Sequence, residues 1–247
     1  MIHTTDQSVI VSSGSEVLPR EEIALETLRE RTEQTREVLK SQAPAELLQA
    51  FDDGAAELGS RDFAAQAVKV GEQAPGFVLP AADGSEVTLG GLLEDGPIVL
   101  TFYRGSWCPY CNLQLNAYRE ILGELEQEGV RLVAVSPMTP DNSLSFAEKL
   151  ELPFTVLSDL GAEVAARYGL VFIVEGAYRD AHQAGGVELP QLNGDESGRL
   201  PASATFIIDR DRTVRFADVR GDYRWRLEPS ALLAAVREFS AAAVAEL

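Results

Sequence analysis

Trp107-Cys108-Pro109-Tyr110-Cys111 holds the only two cysteines of the 247-residue chain. It sits where an apolar run, Ile98 to Tyr103, gives way to an amphipathic helical pattern. Residues at i and i+3 of a helix lie roughly 5–6 Å apart, the separation a disulfide requires, so these thiols can be joined across one turn without moving the backbone. The helix N-terminus favours negative charge, which holds the outer sulfur partly as thiolate, the reactive form. A zinc site would need two further ligands, and the chain offers only His3 and His182, both in loop-like surroundings. The pair therefore reads as redox-active, with no metal and no cofactor expected.

The formal net charge of −18 argues against nucleic acid, whose phosphates need a basic face. No apolar run approaches the roughly 18 residues of a membrane span. The first residues, Met1 to Ser8, carry neither a basic nor an apolar block, so no secretory signal is expected and the chain reads as cytoplasmic.

Residues 1–19, punctuated by Gly14 and Pro19, read as a flexible arm, and 20–70 as a helical extension. Within the extension, helices are expected over Glu21–Lys40, from Pro44 to about Gly59-Ser60, and over Arg61–Val70. Their amphipathic faces suit packing or a homodimer contact, and no chemistry is expected from them. From Gly71 the pattern changes. Phe77-Val78-Leu79 and Val87-Thr88-Leu89 flank Asp83-Gly84 as a hairpin. Strands follow at Ile98–Tyr103, Val130–Val135, Phe154–Leu157, Thr205–Ile208 and Thr213–Val219. Helices are expected from the cysteines to Gly129, over Ser143–Leu150 and Ala162–Tyr168, and from Pro229 onward. This order implies an α/β fold with a central mixed sheet flanked by helices.

Around the motif, Arg104 can stabilise a thiolate and orient a peroxide or carboxylate, or stand as an exposed strand-end arginine. Trp107 is expected to shield the sulfur. Pro109 and Tyr110 shape the helix start and thereby the redox poise. The Gly-rich stretch 175–200, with Tyr178, Arg179, His182 and Asn193-Gly194, is expected to be a solvated surface insertion rather than a lid.

Gly71-Glu72-Gln73-Ala74-Pro75-Gly76-Phe77-Val78-Leu79-Pro80 with Asp83-Gly84 resembles the opening of the peroxiredoxin family, the alkyl hydroperoxide reductase and thiol-specific antioxidant proteins. Val99–Tyr103, Val130–Pro137 and Thr205–Arg210 continue the resemblance in order, over roughly residues 71–240. It implies a thioredoxin-like domain over 71–247. Cys-Pro-Tyr-Cys itself is similar to the glutaredoxin active site. Peroxiredoxins carry PxxxTxxC, whose last cysteine attacks peroxide. Against that pattern Cys111 takes the peroxidatic position, Cys108 the threonine and Arg104 the proline. The family's second helper, an arginine before the late strand, falls at Ser203, which is also where thioredoxins carry a cis-proline. The buried acid of many thioredoxins, on the strand before the motif, is here Phe102.

The resemblance implies a thiol peroxidase that cycles through a Cys108-Cys111 disulfide, with a hydroperoxide as substrate and a thioredoxin-type protein or low-molecular-weight thiol as reductant. Spacing points to Cys111 as the attacking residue, the assignment preferred under the peroxidase reading, and exposure at the helix start points to Cys108. A dithiol–disulfide oxidoreductase with Cys108 as nucleophile, and a non-catalytic redox sensor or binding protein, stand as alternatives.

Overall fold

The computed structural model describes residues 26–245. The expected arm over 1–19, His3 and the expected helix start at Glu21 lie outside the described residues. The first helix, α1 (Leu28–Gln42), begins later than the pattern suggests because Thr27 is extended and caps it. Its hydroxyl accepts from the Glu30 amide, and the Glu30 carboxylate accepts from the Thr27 amide at 2.8 Å. Helix α2 (Ala45–Ser60) follows Pro44 at its N-cap. The third expected helix shrinks to one turn, α3 (Phe63–Gln66), capped by Asp62. Beyond it the Val68 amide donates to the Tyr168 carbonyl, which holds the chain on an extended path.

Strands β1 (Val78–Pro80) and β2 (Glu86–Thr88) form the expected hairpin. It ends one residue early because the Thr88 hydroxyl caps α4 (Leu89–Glu94). Then come β3 (Ile98–Phe102), α5 (Pro109–Glu120) and α6 (Leu122–Gln127). The single helix expected after the cysteines breaks at Ile121, whose ψ is 5°. The chain continues through β4 (Arg131–Ser136), α7 (Pro140–Lys149), β5 (Thr155–Ser158), a 3-10 turn at Leu160–Ala162 and α8 (Glu163–Arg167). Next are β6 (Val171–Ile173), α9 (Gly176–Ala184), α10 (Leu189–Asn193) and β7 (Arg199–Pro201). The chain closes with β8 (Ser203–Ile208), β9 (Val214–Arg220) and α11 (Pro229–Ala245). The stretch 175–200 is therefore two short helices tied down by the β6–β7 ladder, not a solvated insertion.

The central sheet runs β5-β4-β3-β8-β9, with β3 parallel to β4 and antiparallel to β8. Successive side chains of β3 face opposite layers. Ile98, Leu100 and Phe102 join Phe206, Ile208 and Tyr168 in one core, and Val99 joins Ile207, Leu125, Leu232 and Val236 in another. Central position explains why every residue of β3 is buried. It also fixes where β3 ends, and the cysteine motif follows five residues later.

The helical pair α1–α2 is anchored to the domain rather than projecting from it. The Glu228 carboxylate accepts from the Leu28 and Arg29 amides at 2.9 and 2.8 Å, capping α1 from the far end of the chain. Arg224 bridges Asp52 of α2 and Asp222, and the Tyr223 hydroxyl donates to the Phe51 carbonyl at 3.1 Å. Replacing Glu228 by Ala should cost about 1–2 kcal/mol and loosen α1, measured by urea denaturation and amide exchange of Leu28 and Arg29. Unchanged exchange at those two amides would contradict the anchoring.

Candidate active site

Cys108 is the N-cap of α5, and Pro109 occupies the first helical turn, where its missing amide hydrogen costs nothing. The Cys111 and Asn112 amides both donate to the Cys108 carbonyl at 3.1 Å, so the two cysteines sit on one turn, both as free thiols. The turn before them needs Gly105, whose φ is +152° and where a Cβ would strike the Trp107 indole nitrogen. The Asn112 side-chain Nδ2 donates to the Ser106 carbonyl at 2.9 Å and closes this loop onto the helix.

Both sulfurs are fully buried. The expectation that Cys108 is exposed at the helix start is thus corrected, because the aromatic residues of α9 and of the loop after β9 pack over that end. Arg104 is not an exposed strand-end residue either; it is only 2% exposed and lies inside the site. One of its terminal nitrogens donates to Cys108 Sγ at 3.1 Å, and the other to the Tyr178 hydroxyl at 2.7 Å. Its guanidinium carbon lies 3.6 Å from the Tyr223 ring centroid and 4.9 Å from that of Trp107. Trp107 therefore serves as one wall of the arginine slot.

Sequence reasoning missed Arg226. From the loop after β9 it donates to the Ser203 hydroxyl and lies 3.5 Å from Cys111 Sγ and 3.8 Å from Cys108 Sγ. Ser203 is the position where the resemblance leads one to expect an arginine. The side chain is small there, and a guanidinium from elsewhere in the chain fills the space. The one available signal was Tyr223-Arg224-Trp225-Arg226, an alternation of aromatic and cationic residues directly after the last strand.

These charges set the two thiols apart. Burial pushes Cys108 up, but a hydrogen bond from Cys111 and the Arg104 and Arg226 charges outweigh it, holding Cys108 well below the ordinary thiol range. Burial, reinforced by the charge on Cys108, pushes Cys111 well above that range. The site thus pairs a Cys108 thiolate with a Cys111 thiol. Phe102, at the position where many thioredoxins carry a buried acid, points into the opposite core and takes no part.

The segment 175–200 supplies two of its singled-out residues to the site. Tyr178 accepts from Arg104, and His182 packs edge-on against Trp107 at 5.0 Å and Phe51 at 5.1 Å. Arg179 instead faces Glu196, 3.8 Å away on the surface. Asn193 is buried at the end of α10, and Gly194 provides its left-handed C-cap. The ring of Tyr110 lies 5.9 Å from that of Tyr223. His182 Nδ1 is 2.7 Å from the Tyr178 carbonyl, which can only accept, so Nδ1 carries the proton. Burial lowers its pKa to about 4. Among the described residues no group of three histidine, cysteine or acidic side chains could hold a metal, and no helix is long and apolar enough to cross a membrane.

Two measurements follow from this geometry. Thiolate absorbance at 240 nm should persist below pH 7 and disappear in Cys108→Ala, while Arg104→Met should raise its midpoint by about 1–3 pH units. A midpoint near 8.5 in the unaltered protein would contradict the arrangement. Because the folded-state pKa of His182 lies below its unfolded value of about 6.5, its contribution to stability is complete above pH 6.5 and is lost as pH falls through about 4. That loss amounts to about 3 kcal/mol, and His182→Gln should remove it from the difference between urea denaturation at pH 7 and pH 4. An unaltered difference would place the acid sensitivity elsewhere.

Comparison with known proteins matches residues 70–217 to the AhpC/TSA family model. A chloroplastic peroxiredoxin Q of Populus jackii is 27% identical over 148 residues, covering 60% of this chain and 59% of that protein, so the matched region is about three fifths of the relative's length. A putative peroxiredoxin bcp of Coxiella burnetii is 30% identical over 135 residues, covering 55% of this chain and 87% of that protein. Among solved structures, peroxidoxin BcpB of Mycobacterium tuberculosis superposes with a TM-score of 0.54 at 26% identity, over 69% of this chain and 97% of its own. A peroxiredoxin-like protein from Aquifex aeolicus superposes with a TM-score of 0.55 at 26% identity, over 70% of this chain and 88% of its own. Helices α1 and α2, Tyr223 and Arg226 all lie outside the matched residues.

Proposed function

The chain belongs to the AhpC/TSA family, and on that premise we propose that it is a thiol peroxidase in which Cys108 attacks the hydroperoxide and Cys111 resolves it. The observation that carries this reading is the convergence of Arg104, Arg226 and the Cys111 thiol on the Cys108 sulfur. The family's threonine and strand-end arginine are absent, and these two guanidinium groups stand in their place as peroxide-polarising cations. Spacing alone favours Cys111, but a buried thiol held in its protonated form is a poor nucleophile.

In the cycle, the Cys108 thiolate attacks the distal peroxide oxygen, the O–O bond breaks, and the alkoxide or hydroxide leaves and takes a proton from water. Cys108 is then a sulfenic acid. The Cys111 thiol condenses with it, releasing water and forming the Cys108-Cys111 disulfide. An external dithiol, a thioredoxin-type protein or a low-molecular-weight thiol, returns the pair to its reduced state by exchange. A reducing compartment, the cytoplasm, is the location proposed with this cycle.

Stopped-flow tryptophan fluorescence of the reduced protein mixed with hydrogen peroxide tests the assignment. A second-order rate orders of magnitude above that of a free thiol is expected. Cys108→Ser should abolish it, while Cys111→Ser should keep the first oxidation and stall as a dimedone-reactive sulfenic acid. Arg104→Met and Arg226→Met should each slow the reaction about 10²-fold. A fast Cys108→Ser variant beside an inert Cys111→Ser variant would reverse the two roles. A wild-type rate no better than a free thiol would leave dithiol–disulfide exchange at Cys108 as the activity.

A further inference from the structure

The helical pair α1–α2 encloses a pocket of about 280 Å³ against the cysteine motif. Its outer wall is apolar, formed by the half-buried Leu39, Leu47, Leu48 and Phe51. Its inner wall is Trp107, Pro109 and Tyr110, together with Arg104, which touches Cys108 on its other side. The volume is close to the lower end for small-molecule sites, about 300 Å³. The apolar outer wall offers nothing to hydrogen peroxide, which needs only the polar contacts at Arg104.

The charge around the pocket is as specific as its lining. The chain as a whole carries a net charge of −18, yet among the described residues the charged side chains lining this pocket are Arg36, Lys40, Arg104 and Arg224 against Asp52. Asp52 is shared between Arg36 at 3.1 Å and Arg224 at 2.6 Å. Arg224 also pairs with Asp222, just beyond the lining, and among the described residues the exposed Lys40 pairs with Glu37. A ligand with an apolar body and an anionic end therefore finds a matching wall and rim, with the reacting sulfur one guanidinium away from the apolar interior.

We propose that this pocket is a substrate subsite, built by α1–α2 and the loop after β9, for amphipathic anionic hydroperoxides such as those of long-chain fatty acids. The proposal rests on the peroxidase reading for the reacting end of the ligand. The apolar chain lies along Leu47, Leu48 and Phe51, the carboxylate pairs with the rim cations Arg36 and Lys40, and the hydroperoxide approaches Cys108 past Arg104. Reduction yields the corresponding hydroxy acid, water being released when the Cys108-Cys111 disulfide forms, and the external thiol supplies the two electrons.

The test combines binding and rate on the full chain. Laurate, which cannot react, should bind with one-to-one stoichiometry by isothermal titration calorimetry. Leu48→Glu should weaken it at least tenfold, and Lys40→Glu, an exposed substitution that leaves the fold intact, should weaken it severalfold. Linoleic acid 13-hydroperoxide should react about tenfold faster than its methyl ester or tert-butyl hydroperoxide, and Leu48→Glu should erase that advantage. Absent laurate binding with peroxide reduction intact would overturn the subsite and leave the pocket to a polypeptide, the chain's own first residues or a second copy. Equal rates for acid and ester would overturn the anionic specificity. Laurate binding without reduction of any hydroperoxide would instead overturn the peroxidase reading, and with it the substrate role.

Discussion

A fully buried arginine needs a counter-charge, hydrogen-bond acceptors and a surface for its planar face, and much of this structure is arranged to supply them to Arg104. The Cys108 thiolate provides the charge, the Tyr178 hydroxyl accepts a second bond, and Tyr223 and Trp107 bracket the guanidinium. Neither partner of this pair is stable alone. Without the arginine, Cys108 would lose one of the groups that offset its burial, leaving the Cys111 hydrogen bond and Arg226; without the thiolate, the guanidinium would be a buried and uncompensated cation. The reactive sulfur and the packing of the site are thus one electrostatic problem with one solution.

That solution draws on parts of the chain far apart in sequence. Tyr178 can sit against α2 only because residue 54 is glycine, where a Cβ would fall 2.6 Å from the tyrosine ring. Tyr223 reaches back to the Phe51 carbonyl, and Arg224 ties the same loop to Asp52. Helices α1 and α2, α9, and the loop after β9 therefore form a single cap over the start of α5. The family core between residues 70 and 217 positions the cysteines, Arg104, Trp107 and Tyr178, while the elements around it supply the second cation Arg226, the Tyr223 face of the aromatic slot and the outer wall of the apolar pocket.

Much of the fold was legible because each signal was local. Ile98–Tyr103 is an apolar run, Asp83-Gly84 turns a hairpin, and Pro44 and Pro109 stand at helix starts. Boundaries shifted where a tertiary partner intervened, as when the Val68 amide bonds to Tyr168 and ends α3 after one turn. The segment 175–200 misread for a related reason: its polar, Gly-rich composition resembles a solvated loop, but Tyr178 and His182 face inward on α9 against partners over one hundred residues earlier.

The sequence by itself determined the chemistry available to this protein. Two cysteines at helical spacing after a buried strand can form a disulfide whatever surrounds them, because that geometry is set within one turn. Which sulfur carries the charge was a tertiary matter. Cys108 and Cys111 differ through the positions of Arg104 and Arg226, and Arg226 arrives from 115 residues beyond Cys111. Coulomb interactions depend on distance in space, which the order of residues along the chain does not contain.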